Sequence, residues 1–385
     1  MGVVFQLGHN DHKVAEDFLL RRPAGVEGIT LHAKMARHQQ AAAEAAQAAG
    51  AGVYFNPATE RLTEPGYVMH EAPYYAAAPY SVDALAADAA ARSRLVEDVL
   101  AGHPASVTAA TPPHFLVNAD RSANLNVVLA ADTANSTDLP IRAVLVLDRR
   151  YGLKKAADLA QQYCDAGITD LELRLTPFGG EDESLAKIRS GFHLLDTFRG
   201  TGITTTLGCS GNVGRAAFAF GHADSYSMGI GVLEHVDHVG TMTQRRQPPK
   251  LDENGNKKST PGFRGVYLPG IAQTLSHKTA TALLAHTDIR LRLGCRLEGC
   301  GSSVDGPTKD YQRHYLHARA QEVADLDRQP KPWRATVETE RLRRALDLRE
   351  LVNSKYRAED IPALKTRTLR SILDLPGEGR QAQAG

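Results

Sequence analysis

An acid closes the apolar run "AVLVLD", Ala143 to Asp148. A carboxylate at the end of a buried strand, in poor solvent, can act as a general base or stabilise a developing cation. The plainer reading of Asp148 is a cap for the next helix or a partner for Arg149 or Arg150, and both readings stand at this level. Other polar residues gather where similar runs end: His9, Asn10 and Asp11; Asn56; His114 and Asn118; Arg174; Cys209, Ser210 and Asn212; and Glu234. Each is a candidate to touch a ligand, against the bland alternative of a polar loop.

The stretch "GHADSYSMGIG" gives up bulk at Ser225, Ser227, Gly229 and Gly231. A strand does this where a ligand or another backbone must come close. Ser227, Met228 and Gly229 are therefore candidate substrate contacts. Upstream, "LGCSGNVGRAA" sets Gly208, Gly211 and Gly214 between a strand and a helix, with Arg215 in the first turn. Free backbone N–H groups plus an arginine make an anion site, or the glycines simply serve a tight turn. The spacing is neither a dinucleotide fingerprint nor a Walker-type loop.

The segment "CRLEGC" supplies Cys295 and Cys300, and "HYLH" supplies His314 and His317. Two thiolates with one or two imidazoles can bind zinc tetrahedrally. Histidines three apart share a helix face, so both can reach one ion. Such zinc would be structural, pinning the helix that starts near Lys309. The alternative is a set of ordinary buried side chains.

These residues need elements to position them. Eight short runs read as strands: Val3 to Gly8, Gly52 to Pro57, Val107 to Val117, Ile141 to Asp148, Thr169 to Thr176, Gly202 to Cys209, Asp224 to Gly231 and Asp288 to Cys295. Gly28 to Ala33 is a further candidate, so the count is open by one. Helical spacers such as "ARHQQAAAEAAQAAGA" end at glycine. The alternation predicts an α/β fold, a TIM-type (β/α)8 barrel over residues 1–335, with a doubly wound open sheet as the alternative. In "DLELRL" and "DIRLRLGC" the leucines should face the helices, leaving Glu172, Arg174, Arg290 and Arg292 near the lumen. Charges there need partners or a polar ligand, and a structural Arg–Glu network is the simpler account. The polar segment Thr241 to Gly265 reads as a mobile basic loop, residues 336–385 as a helical extension, and the last ten residues as disordered.

The composition narrows the field. The formal net charge is +1, so any basic surface is local. Four cysteines are too few for a disulfide scaffold in 385 residues, which fits a reducing cytoplasm. No run approaches the roughly 18 apolar residues of a membrane span.

The run "KDYQRHYLH" (Lys309 to His317), after a cysteine pair, resembles the zinc region of tRNA-guanine transglycosylases. Tyr311, Arg313, Tyr315, Leu316 and His317 match that family's Tyr-x-Arg-x-Tyr-Leu-His. "TTTLGCSGNVGRAAFAFGHADSYSMGIG" is similar to another of its stretches, and the likeness spans roughly Ile141 to Glu322. There are departures. The family has three cysteines and a distant histidine, so zinc here would need His314 or His317. Its nucleophilic aspartate falls on Ser227, which leaves covalent base exchange without its nucleophile.

The resemblance therefore implies a base glycosylase that hydrolyses an N-glycosidic bond in nucleic acid, DNA more than tRNA. By analogy with relatives that deal with modified phage bases, it implies anti-phage defence. Asp148 and Asp11 would supply the carboxylates, with Asp224 and Glu234 behind them. His9, Asn10, His114, Arg174, Ser210 and Asn212 would join Ser227, Met228 and Gly229 around an extruded base. Arg149, Arg150, Arg215, Arg245, Arg246, Lys257 and Lys258 would hold phosphates. A true base-exchanging transglycosylase and a catalytically inert nucleic-acid-binding barrel are the alternatives.

Overall fold

The computed structural model describes residues 2–247, 265–297, 300, 306–357 and 361–375. Its strands are β1 (Val3–Gln6), β2 (Val26–His32), β3 (Gly52–Asn56), β4 (Arg142–Asp148), β5 (Asp170–Thr176), β6 (Phe178–Gly179), β7 (Thr204–Leu207), β8 (Ser225–Gly229), β9 (His235–Val236), β10 (Val266–Leu268) and β11 (Gln273–Leu275). Seven form one parallel sheet in the order β3-β2-β1-β8-β7-β5-β4, curled into a half-barrel. β6 pairs with β9, and β10 with β11, as small antiparallel ribbons.

The alternation in β5 decides its two faces. Leu171, Leu173 and Leu175 are fully buried with Leu145, Leu147 and Leu207 against the helices Arg149–Asp165, Leu185–Gly200 and Gly211–Phe220. Each such side chain stabilises the fold by roughly 1.5–3 kcal/mol. The opposite face carries Glu172 and Arg174, as the alternation predicts.

Two expected strands are absent. Asp288 to Cys295 is largely helix, Thr287–Leu293. Ile289 and Leu293, four apart, are buried, while Leu291 between them is 71% exposed. That is a helix stripe, not a strand face, so Arg290 and Arg292 do not reach the concave side. Val107 to Val117 makes only isolated bridges, Ala110 to Ile141 and Val117 to Leu147. Pro112 and Pro113 interrupt it and supply no N–H for a ladder. The segment nonetheless bonds to both sheet edges. Thr108 N donates to Val53 O of β3 at 2.8 Å, and Val117 N to Val146 O of β4 at 2.8 Å. Gly28 to Ala33, left open in the sequence, belongs to β2.

The first part of the basic segment is helical, His238–Arg246, where a loop was expected. The C-terminal region is helical as expected, with Lys331–Lys355 and Arg367–Leu373, and the last ten residues lie outside the described set. Among the described residues no helix is long and apolar enough to cross a membrane.

Candidate functional site

The small residues of β8 have a partner inside the sheet. Ser227 Oγ donates to Glu172 Oε1 at 3.0 Å and accepts from Gln6 Nε2 at 3.0 Å and from Cys209 N at 3.1 Å. Glu172, 1% exposed, also accepts from Gln6 Nε2 and Arg174 Nε, each at 2.8 Å. A Cβ on Gly208 would fall 2.6 Å from Arg174 Cγ, so glycine alone leaves room for the pair. Below, Arg142 bonds to Asp170 and to Thr206, whose Oγ1 lies 2.7 Å from Ser225 Oγ. The bulk lost along β8 thus admits a buried Arg–Glu network.

One edge of that network opens into a cavity at the C-terminal ends of the strands, of ≈ 90 Å³, lined by Gln6, Glu60, Arg61, Arg174, Cys209 and His238 among others. Glu60 follows β3 and is 4% exposed; Arg174 is 6% exposed. Arg174 Nη2 is buried without a hydrogen-bond partner, and the Glu60 Oε2 beside the cavity has only His114 Nε2, at 3.3 Å. A donor that costs about 1–3 kcal/mol when left unpaired therefore belongs to the same cavity wall as a buried carboxylate. Burial alone would raise the Glu60 carboxyl. The imidazole of His114, whose Nε2 is 3.3 Å away, together with Arg61 and Arg174, overrides this and holds Glu60 well below the usual carboxylate range. Burial pushes the Cys209 thiol up to about 11, so it is no ready nucleophile.

The residues singled out in the sequence scatter. Asp148 is half-buried and caps the helix that follows it: its Oδ1 accepts from Arg150 N at 2.9 Å and Tyr151 N at 3.1 Å. Asp11 is buried, accepting from Gly8 N and from Gln312 Nε2. Glu234 accepts from Tyr315 Oη and Arg319 Nη2, each at 2.6 Å. Asp224 precedes β8 at the opposite end of the sheet, accepting from Thr205 N and paired with Arg199. His9 and Asn10 are exposed. Ser210 bonds back to Leu207 O, and Asn212 donates to Ala272 O. Met228 is buried beneath Tyr315 Oη, and a Cβ on Gly229 would meet Val232 O at 2.9 Å.

The cations divide as well. Arg215 is 3% exposed and paired with Glu322 and Glu338, inside the fold rather than on a surface. Arg149 is half-buried, donating to Ser190 Oγ; Arg150 is exposed. Arg245 and Arg246 close the helix His238–Arg246, and Lys257 and Lys258 lie outside the described residues. Of the predicted set, Arg174 and Ser227 meet on Glu172, and His114 meets Glu60, a residue the sequence reading passed over, on the cavity that Arg174 also lines. Glu60 sits four residues beyond the end of β3, in "NPATERL", and only its place after a strand could have marked it.

The cysteine–histidine set does assemble. One ligand atom from each of Cys295, Cys300, His314 and His317 lies within 4.8 Å of the others, a cluster that can hold a metal ion. Cys295 Sγ is 3.2 Å from His317 Nε2, and Cys300 Sγ is 3.3 Å from His314 Nδ1. Tetrahedral zinc sets such S···N edges at roughly 3.5 Å. His314 Nε2 is 2.6 Å from the Tyr267 carbonyl, so that nitrogen carries the proton and Nδ1 is left as the ligand atom. The Cys300 thiol and both imidazoles pull the Cys295 thiol far below its ordinary value. The donor set fits zinc. The helix Tyr311–Asp327, which carries both histidines, also sends Gln312 to Asp11 and Tyr315 to Glu234.

No known family model matches this chain, and no curated protein matches it.

Proposed function

We propose that this protein cleaves the N-glycosidic bond of a base in nucleic acid, DNA more than tRNA. The observation that carries the reading is Arg174 Nη2, a buried donor without a hydrogen-bond partner, on a small cavity that the Glu60 carboxylate also lines. A nucleobase carbonyl, such as that of guanine, uracil or thymine, would satisfy Arg174 Nη2 and leave Glu60 for the sugar. The base would be drawn out of its stack to reach them. Glu60, held ionised, would stabilise the positive charge that builds on the sugar as the bond breaks. Asp148, at the end of β4, is the second carboxylate of the reading and would activate water.

Hydrolysis is favoured over base exchange because Ser227 stands where the resembled family has its nucleophile, and its hydroxyl is engaged by Glu172, Gln6 and Cys209 N. The bonds of segment 107–117 to both β3 and β4 support a closed barrel whose eighth stave is irregular. Zinc on Cys295, Cys300, His314 and His317 would be structural. Incubation with plain DNA, heavily modified DNA and tRNA, followed by mass spectrometry of released bases, tests the activity. Free base should appear from at least one polymer. Binding with no base released, or release only when a labelled free base is incorporated in exchange, overturns the reading.

A further inference from the structure

The segment after β3 and the helix His238–Arg246 meet across the rim of the cavity. Arg246 pairs with Glu64, and Arg61 Nε pairs with Glu60 Oε1 at 3.3 Å. Arg245, next to Arg246 on that helix, has no carboxylate of its own among the described residues. Its guanidinium is 4.4 Å from the centre of the Tyr67 ring, and that of Arg61 is 5.5 Å from the same ring. Arg245 Nη1 is buried and has no hydrogen-bond partner. Two guanidiniums thus converge on one tyrosine, with one cation in excess. Burial and the charge of Arg61 hold Arg245 below its ordinary value, the mark of cations crowded together.

We propose that Arg61 and Arg245 form a phosphate site, with Tyr67 as the shelf that fixes both guanidinium planes. A guanidinium stacked on an aromatic face keeps its N–H fork in one plane, the geometry that suits an anionic oxygen pair. A phosphate placed here neutralises the unpaired charge and gives Arg245 Nη1 its acceptor. Glu60 and Arg174 lie on the same cavity as Arg61, so the ligand is a phosphodiester beside an extracted base. The inference rests on the proposed nucleic-acid reading and names how the strand is held.

The test uses the full chain and ³¹P NMR titration with two probes, inorganic phosphate and thymidylyl-thymidine, with the methylphosphonate form of the dinucleotide as neutral control. Both phosphates should bind, and the neutral analogue should bind about tenfold more weakly or not at all. The double variant Arg61→Gln/Arg245→Gln should lose about tenfold or more for the charged probes, whereas Arg343→Gln, at an exposed position of the helix Lys331–Lys355, should not. Circular dichroism melts confirm that the variants fold, and Arg245→Lys, which keeps the charge without the planar fork, should fall between. Equal binding of the neutral analogue, or unchanged affinity in the double variant, overturns the site. Binding of inorganic phosphate but not the dinucleotide overturns its assignment to a strand. Base release by a protein that fails these tests would leave the glycosylase reading standing without this site.

Discussion

Tyr67 Oη lies 3.0 Å from Nε2 of His32, whose Nδ1 accepts from the backbone N–H of Lys34 at 3.1 Å. A backbone N–H only donates, so Nδ1 is bare and, in the neutral ring, Nε2 carries the proton and donates to Tyr67. The tyrosine that supports Arg61 and Arg245 is thus itself held by a neutral histidine. Burial, with Arg61 next, lowers the pKa of His32 to about 4.

That shift makes stability depend on pH. The unfolded chain takes up the proton near pH 6.5, the folded chain only near pH 4. The contribution is therefore complete above pH 6.5 and is lost as pH falls from there toward 4, amounting to at most about 3 kcal/mol. Urea unfolding at pH 7 and pH 5 should show a loss that His32→Gln reduces. An equal loss in the variant would mean that other groups set the acid response.

Glu60 and Asp148 divide the proposed chemistry, and their substitutions separate the two. Glu60→Gln should lower base release by about 100-fold or more while the protein stays folded, since it removes the charge and keeps the shape. Asp148→Asn should do the same if that acid activates water. If it only caps its helix, Asp148→Asn, which keeps a capping oxygen, should leave stability and turnover near normal, while Asp148→Ala should lose about 0.5–2 kcal/mol of stability. Full activity in Glu60→Gln would remove the mouth carboxylate from the mechanism.

Ser227 is expected to resist conversion to the residue that the resembled family carries. Ser227→Asp would put a second carboxylate against Glu172 at a site with 0% exposure. A buried, uncompensated charge costs about 3–5 kcal/mol, so the variant should melt well below the native protein and gain no base-exchange activity. Ser227→Ala leaves Gln6, Glu172 and Cys209 N each short of one bond and should cost less, about 1–3 kcal/mol. A stable, base-exchanging Ser227→Asp protein would contradict the account of the network.

The same residues show what the sequence could and could not reveal. Strand-period alternation in "DLELRL" correctly separated Leu171, Leu173 and Leu175 from Glu172 and Arg174. "DIRLRLGC" has the same alternation and is helical, because Ile289 and Leu293 suffice as a buried stripe and Leu291 is left to solvent. Alternation over six residues does not distinguish the two. The partner that explains the small residues of β8 is Glu172, 55 positions away from Ser227, and only the sheet order brings them together. Glu60 had only its neighbour Arg61 as a local sign, since its strongest partner, His114, is distant in the chain.

The metal cluster was legible because the chain has only four cysteines and two of them stand with two histidines inside residues 295–317. Zinc bound there would join the 295–300 segment to the helix Tyr311–Asp327 and, through His314, to the Tyr267 carbonyl of β10. That helix in turn holds Asp11 through Gln312 and Glu234 through Tyr315 and Arg319. Loss of the ion should therefore loosen the packing of the helix on the sheet while leaving Glu60 and Arg174 in place, since neither touches it. Chelation should lower the melting temperature more than it lowers base release per folded molecule, and Cys295→Ser or His317→Asn should reproduce the effect without chelator. Elemental analysis of protein purified without chelator should find about one zinc per chain. Well under one zinc, with a melting temperature indifferent to chelation, would leave the four residues as ordinary partly buried side chains.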